Sequence, residues 1–286
     1  MDAAVTRVPA TTSNLGSGFD CLGIALDLSN RLTVRLSDVE VEHPAMAAEA
    51  ARHFFKAAGR KPVPFKWKIE GEVPQSRGLG SSVTVRMGLL LGLNALTGGG
   101  LEPDQIYHIC SALEGHPDNA APAAFGGFTV ARQDAPTLRV EVAPEVKFVL
   151  LIPDFEVSTP AAREILPQSY PKPDVVRSVG NACRVTAAFL QQKYELLRGC
   201  FDDGLHQPYR ESLIPFLSKA IAAGERAGAL GGFLSGSGST ICCIALDDAK
   251  PVAAAMLDAA PPGSQIVIVG ADNTGAEVLA GTEAVA

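Results

Sequence analysis

Apolar and polar residues alternate along several short stretches of the chain, a pattern typical of half-buried β-strands. Such strands are predicted at 3–8, 31–36, 65–69, 128–132, 137–142, 147–152, 230–235, 240–246 and 265–269. Longer stretches with helical composition predict helices at 47–58, 83–96, 103–113, 120–124, 174–198, 214–227 and 249–259. Composition becomes richer in helix after Pro153, so we expect an α+β protein with a domain boundary near residue 155.

The segment from Pro74 to Ser82 contains two glycines and ends in two hydroxyl residues, directly before the apolar stretch Val83–Leu96. Glycines allow the backbone N–H groups to turn inward, and the start of a helix carries unpaired donors and a positive dipole. A phosphate-binding loop is therefore one interpretation. Taken alone, an ordinary turn ahead of a core helix explains the segment about equally well. The strand at 65–69 places Phe65, Trp67 and Ile69 on one face just before this loop.

Two common nucleotide-binding motifs are missing from the sequence. No glycine is followed at the required spacing by Gly-Lys-Ser or Gly-Lys-Thr, which excludes a Walker A loop. The run from Gly236 to Ile241 lacks the third glycine of a dinucleotide fingerprint. The phosphate-binding hypothesis therefore concerns neither a P-loop NTPase nor a Rossmann protein.

Composition narrows the class of protein further. The chain has 286 residues, 47% of them hydrophobic and 19% charged, with a formal net charge of −7, so we expect a globular protein with no nucleic-acid partner. Six cysteines without a Cys-x-x-Cys pair predict reduced thiols and a cytoplasmic location. We predict neither a leader nor a membrane span, because the longest apolar run is only Met87–Leu93.

Four motifs together resemble a known enzyme superfamily. They are Val8–Asp20, the loop at 74–82, Leu234–Thr240 and Glu114–Pro122. The first three are similar to the motifs of the kinases named after galactokinase, homoserine kinase, mevalonate kinase and phosphomevalonate kinase (GHMP). The fourth, Glu-Gly-His-Pro-Asp-Asn-Ala-Ala-Pro, resembles that of the homoserine kinase family. The resemblance extends from residue 8 to about 246.

This resemblance implies a fold, a reaction and ligands. The expected fold is a ribosomal-protein-like N-terminal domain at 1–155, packed on a ferredoxin-like C-terminal domain at 156–286, with the site between them. The expected reaction is ATP-dependent phosphorylation of the homoserine hydroxyl in threonine biosynthesis, with Mg²⁺ as cofactor. Whether the protein forms a homodimer, as relatives commonly do, stays open.

The resemblance also implies roles for particular residues. ATP is expected to contact Pro74, Gln75, Ser76, Arg77, Gly78, Leu79, Gly80, Ser81, Ser82, Val83 and Thr84. Ser82 and Glu114 are the predicted Mg²⁺ ligands, and Glu114, Asn119 and Asp20 the predicted catalytic residues. The predicted homoserine site comprises Asn14, Asp20, His116, Asn119, Thr159, Arg163 and Arg210, with Asp20 facing the ammonium and the two arginines facing the carboxylate.

Other interpretations of these residues stay open at this point. Glu114 could be a solvated helix-end residue, the 116–119 segment an ordinary turn, and the arginines surface charges. Two motifs also depart from the family pattern. Val83-Thr84-Val85 replaces small residues, which we expect to crowd the nucleotide, and Ser237 and Ser239 replace alanine and proline. Alternative functions are a related kinase for another hydroxy acid, or a catalytically silent nucleotide-binding regulatory protein.

Overall fold

The computed structural model describes residues 3–279. Its strands are β1 (Ala4–Ser13), β2 (Leu22–Leu36), β3 (Phe65–Gly71), β4 (Phe128–Arg132), β5 (Ala135–Val140), β6 (Val146–Ile152), β7 (Gly231–Leu234), β8 (Ile241–Leu246), β9 (Gln265–Val269) and β10 (Glu277–Leu279). Its helices are α1 (Ala45–Ala57), α2 (Ser81–Thr97), α3 (Pro103–Glu114), α4 (Ala120–Phe125), α5 (Thr159–Glu164), α6 (Lys172–Leu190), α7 (Gln207–Arg210), α8 (Leu217–Arg226) and α9 (Lys250–Asp258). A 3₁₀ turn lies at Tyr194–Leu197.

The first sheet has six antiparallel strands in the order β10-β1-β2-β4-β5, and β3 pairs with the distal half of β2. Helices α1 to α4 form a layer around α2, which packs directly on β1 and β2. Val8, Leu32 and Met87 lie in the buried core between this layer and the sheet. The α2 helix is therefore held on several sides, and so is the loop that precedes it.

The second sheet has the order β7-β8-β6-β9, and all its pairings are antiparallel. The chain follows a β-α-β-β-α-β path from β6 through α8, β7, β8 and α9 to β9, which is the ferredoxin-like arrangement. Helices α8 and α9 cover one face of this sheet. The predicted ferredoxin-like topology is thus present.

Two strands belong to a different sheet from the one that the predicted boundary at residue 155 assigns them to. Strand β6 at 146–152 belongs to the second sheet, and β10 at 277–279 returns to pair with β1 in the first. A division by sheet therefore assigns 146–155 to the C-terminal part and 277–279 to the N-terminal part. The boundary predicted at 155 divides the chain at one residue, whereas each sheet contains strands from both sides of that residue.

A shared core joins the sheets. Ile24 and Phe128 of the first sheet are buried in the same cluster as Phe148 and Ile244 of the second, and the rings of Phe128 and Phe189 stack 4.4 Å apart. Cys242 faces this cluster, whereas Cys243 faces the core under α8 and α9. The adjacent cysteines thus point to opposite faces of β8, as period-two alternation predicts.

Several predicted elements differ in extent. The helix predicted at 174–198 ends at Leu190, because Gln192 adopts a φ of +53° and the chain then forms the 3₁₀ turn. Strand β2 begins nine residues earlier than 31, at Leu22. Helices α5 and α7 and strand β10, with six, four and three residues, were not predicted. Within 3–279, no helix combines the length and apolar character needed to cross a bilayer.

Candidate active site

A cleft of about 1090 Å³ runs between the parts of the molecule built on the two sheets. Its lining comes from loops at the ends of β1 and β3, from the start of α2, from the α3–α4 connection, from α5 and α7, and from the β7–β8 turn. Four of the stretches singled out in the sequence therefore meet at one place, although they are far apart in the chain.

The loop before α2 is attached to its neighbours by backbone contacts. The Ser235 hydroxyl donates to the Gly78 carbonyl (2.7 Å), and the Thr240 N–H donates to the Arg77 carbonyl (3.1 Å). A Cβ atom at Gly78, where φ is +74°, would lie 2.2 Å from the Ser235 carbonyl oxygen. The β7–β8 turn and the loop are therefore packed so closely that glycine is required at residue 78.

Gly80 is the N-cap residue of α2 and has a left-handed conformation (φ +69°, ψ +25°), without a side chain to cap the helix. The first intrahelical bond is donated by Thr84 to the Gly80 carbonyl. The N–H groups of the preceding turn therefore have no intrahelical acceptor, and with the helix dipole they form an anion-binding surface. The cleft is lined at this point by Gly80, Ser81 and Ser82.

Thr84 fixes this first turn from inside. Its hydroxyl donates to the Ser81 carbonyl (2.8 Å) and accepts a hydrogen bond from the Asn30 side chain (2.9 Å). The Oδ1 atom of Asn30 accepts a hydrogen bond from the N–H of Val73, just after β3 (3.2 Å). The entry to the loop and the start of the helix are thus linked through one buried asparagine.

Ser82 and Glu114 meet at the other side of the same turn. The Ser82 hydroxyl donates to Oε2 of Glu114 (2.9 Å), and Arg86 Nη1 contacts Oε1 at 2.5 Å. The Glu114 side chain is only 9% exposed, so it is not a solvated helix-end residue. A hydroxyl and a carboxylate beside the phosphate loop are hard oxygen donors, which fits the donor preference of Mg²⁺.

Asp20 and two arginines lie where the loop after β1 meets α5 and α7. Arg163 binds Asp20 through two bonds of 2.7 and 3.1 Å, and this contact raises the pKa of the Arg163 guanidinium. Both arginines approach the Phe19 ring, with guanidinium carbons 5.5 Å (Arg163) and 5.3 Å (Arg210) from its centre. Asp20 and the two arginines predicted to bind the substrate carboxylate therefore lie together, but Asp20 already neutralises Arg163.

Arg210 is 1% exposed and is held by three partners. Its Nε donates to the Ala162 carbonyl (3.0 Å), and Nη1 contacts the Gly236 carbonyl (3.1 Å) and His206 Nδ1 (3.3 Å). Burial, followed by repulsion from Arg163, lowers the pKa of Arg210 to about 10, so the group is still cationic at neutral pH. Its Nη2 has no bond to any of the residues 3–279 and is the donor left for a ligand.

The α3–α4 connection places His116, Asp118 and Asn119 beside Asp20. His116 Nδ1 and Asp118 Oδ1 are 2.5 Å apart. Burial alone would lower the pKa of His116 and raise that of Asp118, but their hydrogen bond and mutual charge reverse both shifts. Asn119 accepts from the Thr11 hydroxyl (2.7 Å) and donates to Ser13 (2.9 Å). Asn119 thus ties the connection to β1.

Comparison with known proteins agrees with this arrangement. Residues 45–127 match the family described as "GHMP kinases N terminal domain", and residues 186–262 match "GHMP kinases C terminal". The homoserine kinase of Aquifex aeolicus is 38% identical over 95% of this chain and 98% of its own. That of Moorella thermoacetica is 38% identical over 83% of this chain and 86% of its own.

The chain belongs to the homoserine kinase family. Among solved structures, the homoserine kinase of Cytophaga hutchinsonii superposes with a TM-score of 0.88, at 26% identity and over 98% of both chains. A mevalonate kinase superposes with a TM-score of 0.72 at 14% identity, which shows the fold alone. The two-domain GHMP kinase fold is therefore confirmed.

Most residues that the family resemblance singled out line the cleft. They are Asn14, Asp20, Gln75, Ser76, Gly78, Gly80, Ser81, Ser82, Glu114, His116, Asn119, Thr159, Arg163 and Arg210. Pro74, Arg77, Leu79, Val83 and Thr84, predicted to contact ATP, do not line it. Leu79, Val83 and Thr84 are almost completely buried, so their side chains serve the core. Asn14 supports the site: its amide donates to the Gly236 carbonyl (3.0 Å) and accepts the Asp20 N–H (3.0 Å).

The structure accounts for the departures from the family motifs. Because Val83 and Thr84 point into the core, the crowding expected from them does not arise there, and of the three β-branched residues only Val85 faces the cleft. The Ser239 hydroxyl donates to the Phe155 carbonyl (2.6 Å), and the Ser237 and Thr159 hydroxyls lie 3.2 Å apart. Both serines thus connect the β7–β8 turn to the segment that carries α5.

An apolar part of the cleft was not recognised in the sequence. It is lined by Met46 of α1, Trp67 and Ile69 of β3, and Val85 of α2. The alternation of Trp67 and Ile69 before the phosphate loop was the available signal, and Met46 carried none. This surface fits a flat, poorly solvated group such as a nucleotide base.

His206 was likewise not assigned a role. It is fully buried, with Nε2 2.7 Å from the Gly16 carbonyl and Nδ1 facing Arg210. A carbonyl only accepts and a guanidinium only donates, so the ring carries its proton on Nε2 and is neutral. Burial lowers the pKa of His206 to about 4, which agrees with this state. His206 therefore joins the loop after β1 to Arg210.

Acidification is expected to destabilise the protein through His206. An unfolded histidine binds a proton near pH 6.5, whereas folded His206 does so near 4, so the unfolded state binds more protons in between and the free energy of unfolding falls there. From pH 7 to pH 5 this loss amounts to about 2 kcal/mol. Urea unfolding of wild type and His206→Gln at both pH values measures it. Glutamine does not titrate, so equal pH dependence in both proteins would contradict this prediction.

Proposed function

We propose that this protein transfers the γ-phosphoryl group of ATP to the side-chain hydroxyl of L-homoserine, giving O-phospho-L-homoserine for threonine biosynthesis. The observation that carries the proposal is the convergence of the α2 phosphate loop with Asp20, Arg163 and Arg210 in one cleft. Homoserine kinases 38% identical over most of the chain support an enzyme rather than a silent nucleotide-binding protein.

The nucleotide fits the part of the cleft between α1 and α2. Trp67 and Ile69 offer an apolar surface for the base, and the first turn of α2 offers N–H donors for the phosphates. Phosphoryl transfer needs mainly positioning and charge neutralisation, and a rigid loop on a buried helix supplies the positioning. The loop is held from three sides, by Thr11, Ser235 and Thr240.

The amino acid fits the part between α5 and α7. A homoserine carboxylate would accept hydrogen bonds from Arg210 and Arg163, and its ammonium would face Asp20 and Asp118. The carboxylate would take Arg163 from Asp20, and the ammonium would replace the lost cation there. The Asp20–Arg163 pair therefore acts as a preassembled template for a zwitterion. A homodimer stays a prediction from the resemblance, and a cytoplasmic location stays a prediction from the cysteine pattern.

Mg²⁺ fits beside the phosphate loop, where Ser82 and Glu114 would hold it. There the metal would neutralise phosphate charge. Asp118 is less suitable because it lies in the other part of the cleft, clustered with Asp20 and His116.

Glu114→Gln is expected to raise the Mg²⁺ concentration needed for half-maximal activity by about an order of magnitude or more, because a neutral amide is a poorer ligand. Asp118→Asn, which also removes one buried carboxylate, is the matched control. Magnesium titrations of the initial rate at saturating ATP test the prediction. If the Asp118 variant shows the larger shift, the two acids have exchanged roles.

The reaction itself is tested by identifying the product. After incubation with ATP and L-homoserine, ³¹P NMR should show ADP and a new phosphate monoester in equal amounts. ADP accompanied only by inorganic phosphate would mean that water, not homoserine, is the acceptor.

A further inference from the structure

Arg86 is a charged residue on an otherwise largely apolar helix, and the reaction described above does not use it. It lies one turn after Ser82 in α2, lines the cleft, and is 14% exposed. Its Nη1 is 2.5 Å from Oε1 of Glu114, and its Nη2 is 3.8 Å from Oε2 of Glu49 in α1. The Nε of Arg86 is buried and has no hydrogen-bond partner in the described part of the chain.

The contacts of Glu114 leave little room for a metal in this arrangement. One oxygen accepts the Ser82 hydroxyl, and the other faces the guanidinium. A divalent cation that approaches Oε1 meets a fixed positive charge at hydrogen-bond distance from the same atom. In a partly buried site this repulsion is poorly screened, so cation and guanidinium exclude each other from that oxygen.

The guanidinium has another carboxylate within reach. Glu49 lies near Nη2 of Arg86 and is 45% exposed, so it can accept a stronger contact without burying a new charge. Phosphates bound at the first turn of α2 would lie one helical turn from Arg86 and attract it further. Displacement from Glu114 therefore does not leave Arg86 unpaired.

We propose that Arg86 is a positioning residue that occupies the metal-binding oxygen of Glu114 until a divalent cation displaces it. Free metal then binds weakly, and metal that arrives with the nucleotide binds well because the phosphates compensate the displaced guanidinium. The order of binding follows from the geometry: the cation enters the site as its nucleotide complex. This inference rests on the proposed metal role of Glu114.

The test uses Mn²⁺ as the probe, without nucleotide, and measures free Mn²⁺ by electron paramagnetic resonance during titration of the whole protein. Arg86→Met removes the charge and keeps an unbranched, helix-compatible side chain. We expect it to bind Mn²⁺ at least about tenfold more tightly than wild type, since a carboxylate–guanidinium contact no longer competes. The double variant with Glu114→Gln should lose this gain.

Arg177→Met is the matched control. Arg177 also bridges two carboxylates, those of Asp174 (3.1 Å) and Asp202 (3.0 Å), but it does not line the cleft. Its removal should leave Mn²⁺ affinity unchanged. Arg86→Gln, which is neutral but still a donor, provides a second test if the methionine variant does not fold, and we expect the same direction of change. Circular dichroism verifies folding.

Unchanged or weaker Mn²⁺ binding in both Arg86 variants would overturn the inference. So would a gain that persists in the double variant, because another group would then bind the metal. If Glu114→Gln leaves the Mn²⁺ bound with ATP unaffected, the metal role of Glu114 itself fails. The titration involves no homoserine, so a failure of the kinase proposal is recognised separately.

Discussion

Replacing Arg210 with alanine is expected to raise the Michaelis constant for homoserine by about one to two orders of magnitude. A charge-assisted hydrogen bond to a carboxylate contributes about 1.5–3 kcal/mol, which corresponds to this range. Truncation would also leave the Ala162 carbonyl without the Arg210 donor, and Ala162 precedes Arg163 in α5. The effect therefore includes some loss of alignment of the second arginine.

Lysine at residue 210 should restore little. A lysine ammonium is not a planar group that could donate at once to the Ala162 carbonyl, the Gly236 carbonyl and a ligand carboxylate. Burying a compact ammonium is also costly at this position, where Arg210 is only 1% exposed. The measurement is a Michaelis profile of Arg210→Ala and Arg210→Lys against homoserine at saturating ATP. Arg198→Ala, which removes an arginine outside the cleft, is the control. A wild-type homoserine profile in Arg210→Ala would refute the clamp.

Gly80→Val is expected to destabilise the protein and to weaken ATP binding by about fivefold or more. A non-glycine residue in the left-handed region costs about 1–2 kcal/mol. In addition, a Cβ atom at this position would lie 2.1 Å from the Thr11 hydroxyl oxygen. Thr11 would have to rotate away and lose its bond to Asn119, worth about 1 kcal/mol. The disturbance falls on the turn whose N–H groups are proposed to bind the phosphates.

Gly100→Val separates backbone strain from this local effect. Gly100 has the same φ of +69°, but a Cβ atom there would meet nothing within 4 Å. Both variants should lose stability, and only the residue 80 variant should lose ATP binding. Trp67 is the single tryptophan and lines the cleft, so its fluorescence reports binding directly. Retained ATP affinity in Gly80→Val would show that the first turn of α2 does not hold the phosphates.

Local sequence features made a phosphate-binding loop at 74–82 one of two equally good interpretations, because two glycines, two hydroxyl residues and an apolar helix follow one another directly. The family resemblance favoured that interpretation and supplied the other candidate site residues. Local features also predicted the alternating strands, most of which begin and end within a few residues of their predicted limits. In each case the physical requirement lies within the segment itself: a turn conformation, a helix terminus or a two-residue period.

Pairings over long distances in the chain could not be predicted from the residues. Nothing local in Asp20 indicates that Arg163 neutralises it, and Arg86 gave no sign that it would contact Glu114. Both contacts depend on how α5 and α3 are placed by the sheets. Sheet membership has the same origin: β6 lies beside β8 and β9 because Phe148 and Leu150 complete the shared core.

Short elements were missed for a different reason. Helix α7 at Gln207–Arg210 is a single turn, yet it positions Arg210 because Asp203 accepts the N–H groups of His206 and Gln207 at its start (2.9 and 2.8 Å). Tertiary contacts of this kind override weak local preference. Functional side chains on such turns are therefore the hardest to place from composition.

Steady-state ADP release with L-homoserine, L-serine, L-threonine and mevalonate tests the central claim most directly. A site with one carboxylate clamp and one ammonium counter-charge should favour homoserine in kcat/KM over serine and threonine, whose hydroxyl lies one carbon closer to the clamp. Mevalonate lacks the ammonium, so ADP release with mevalonate should be no faster than ADP release without an added acceptor. We therefore expect kcat/KM to fall in this order. Equal or higher kcat/KM for mevalonate, or no ADP release with homoserine, would contradict the proposed transfer to homoserine.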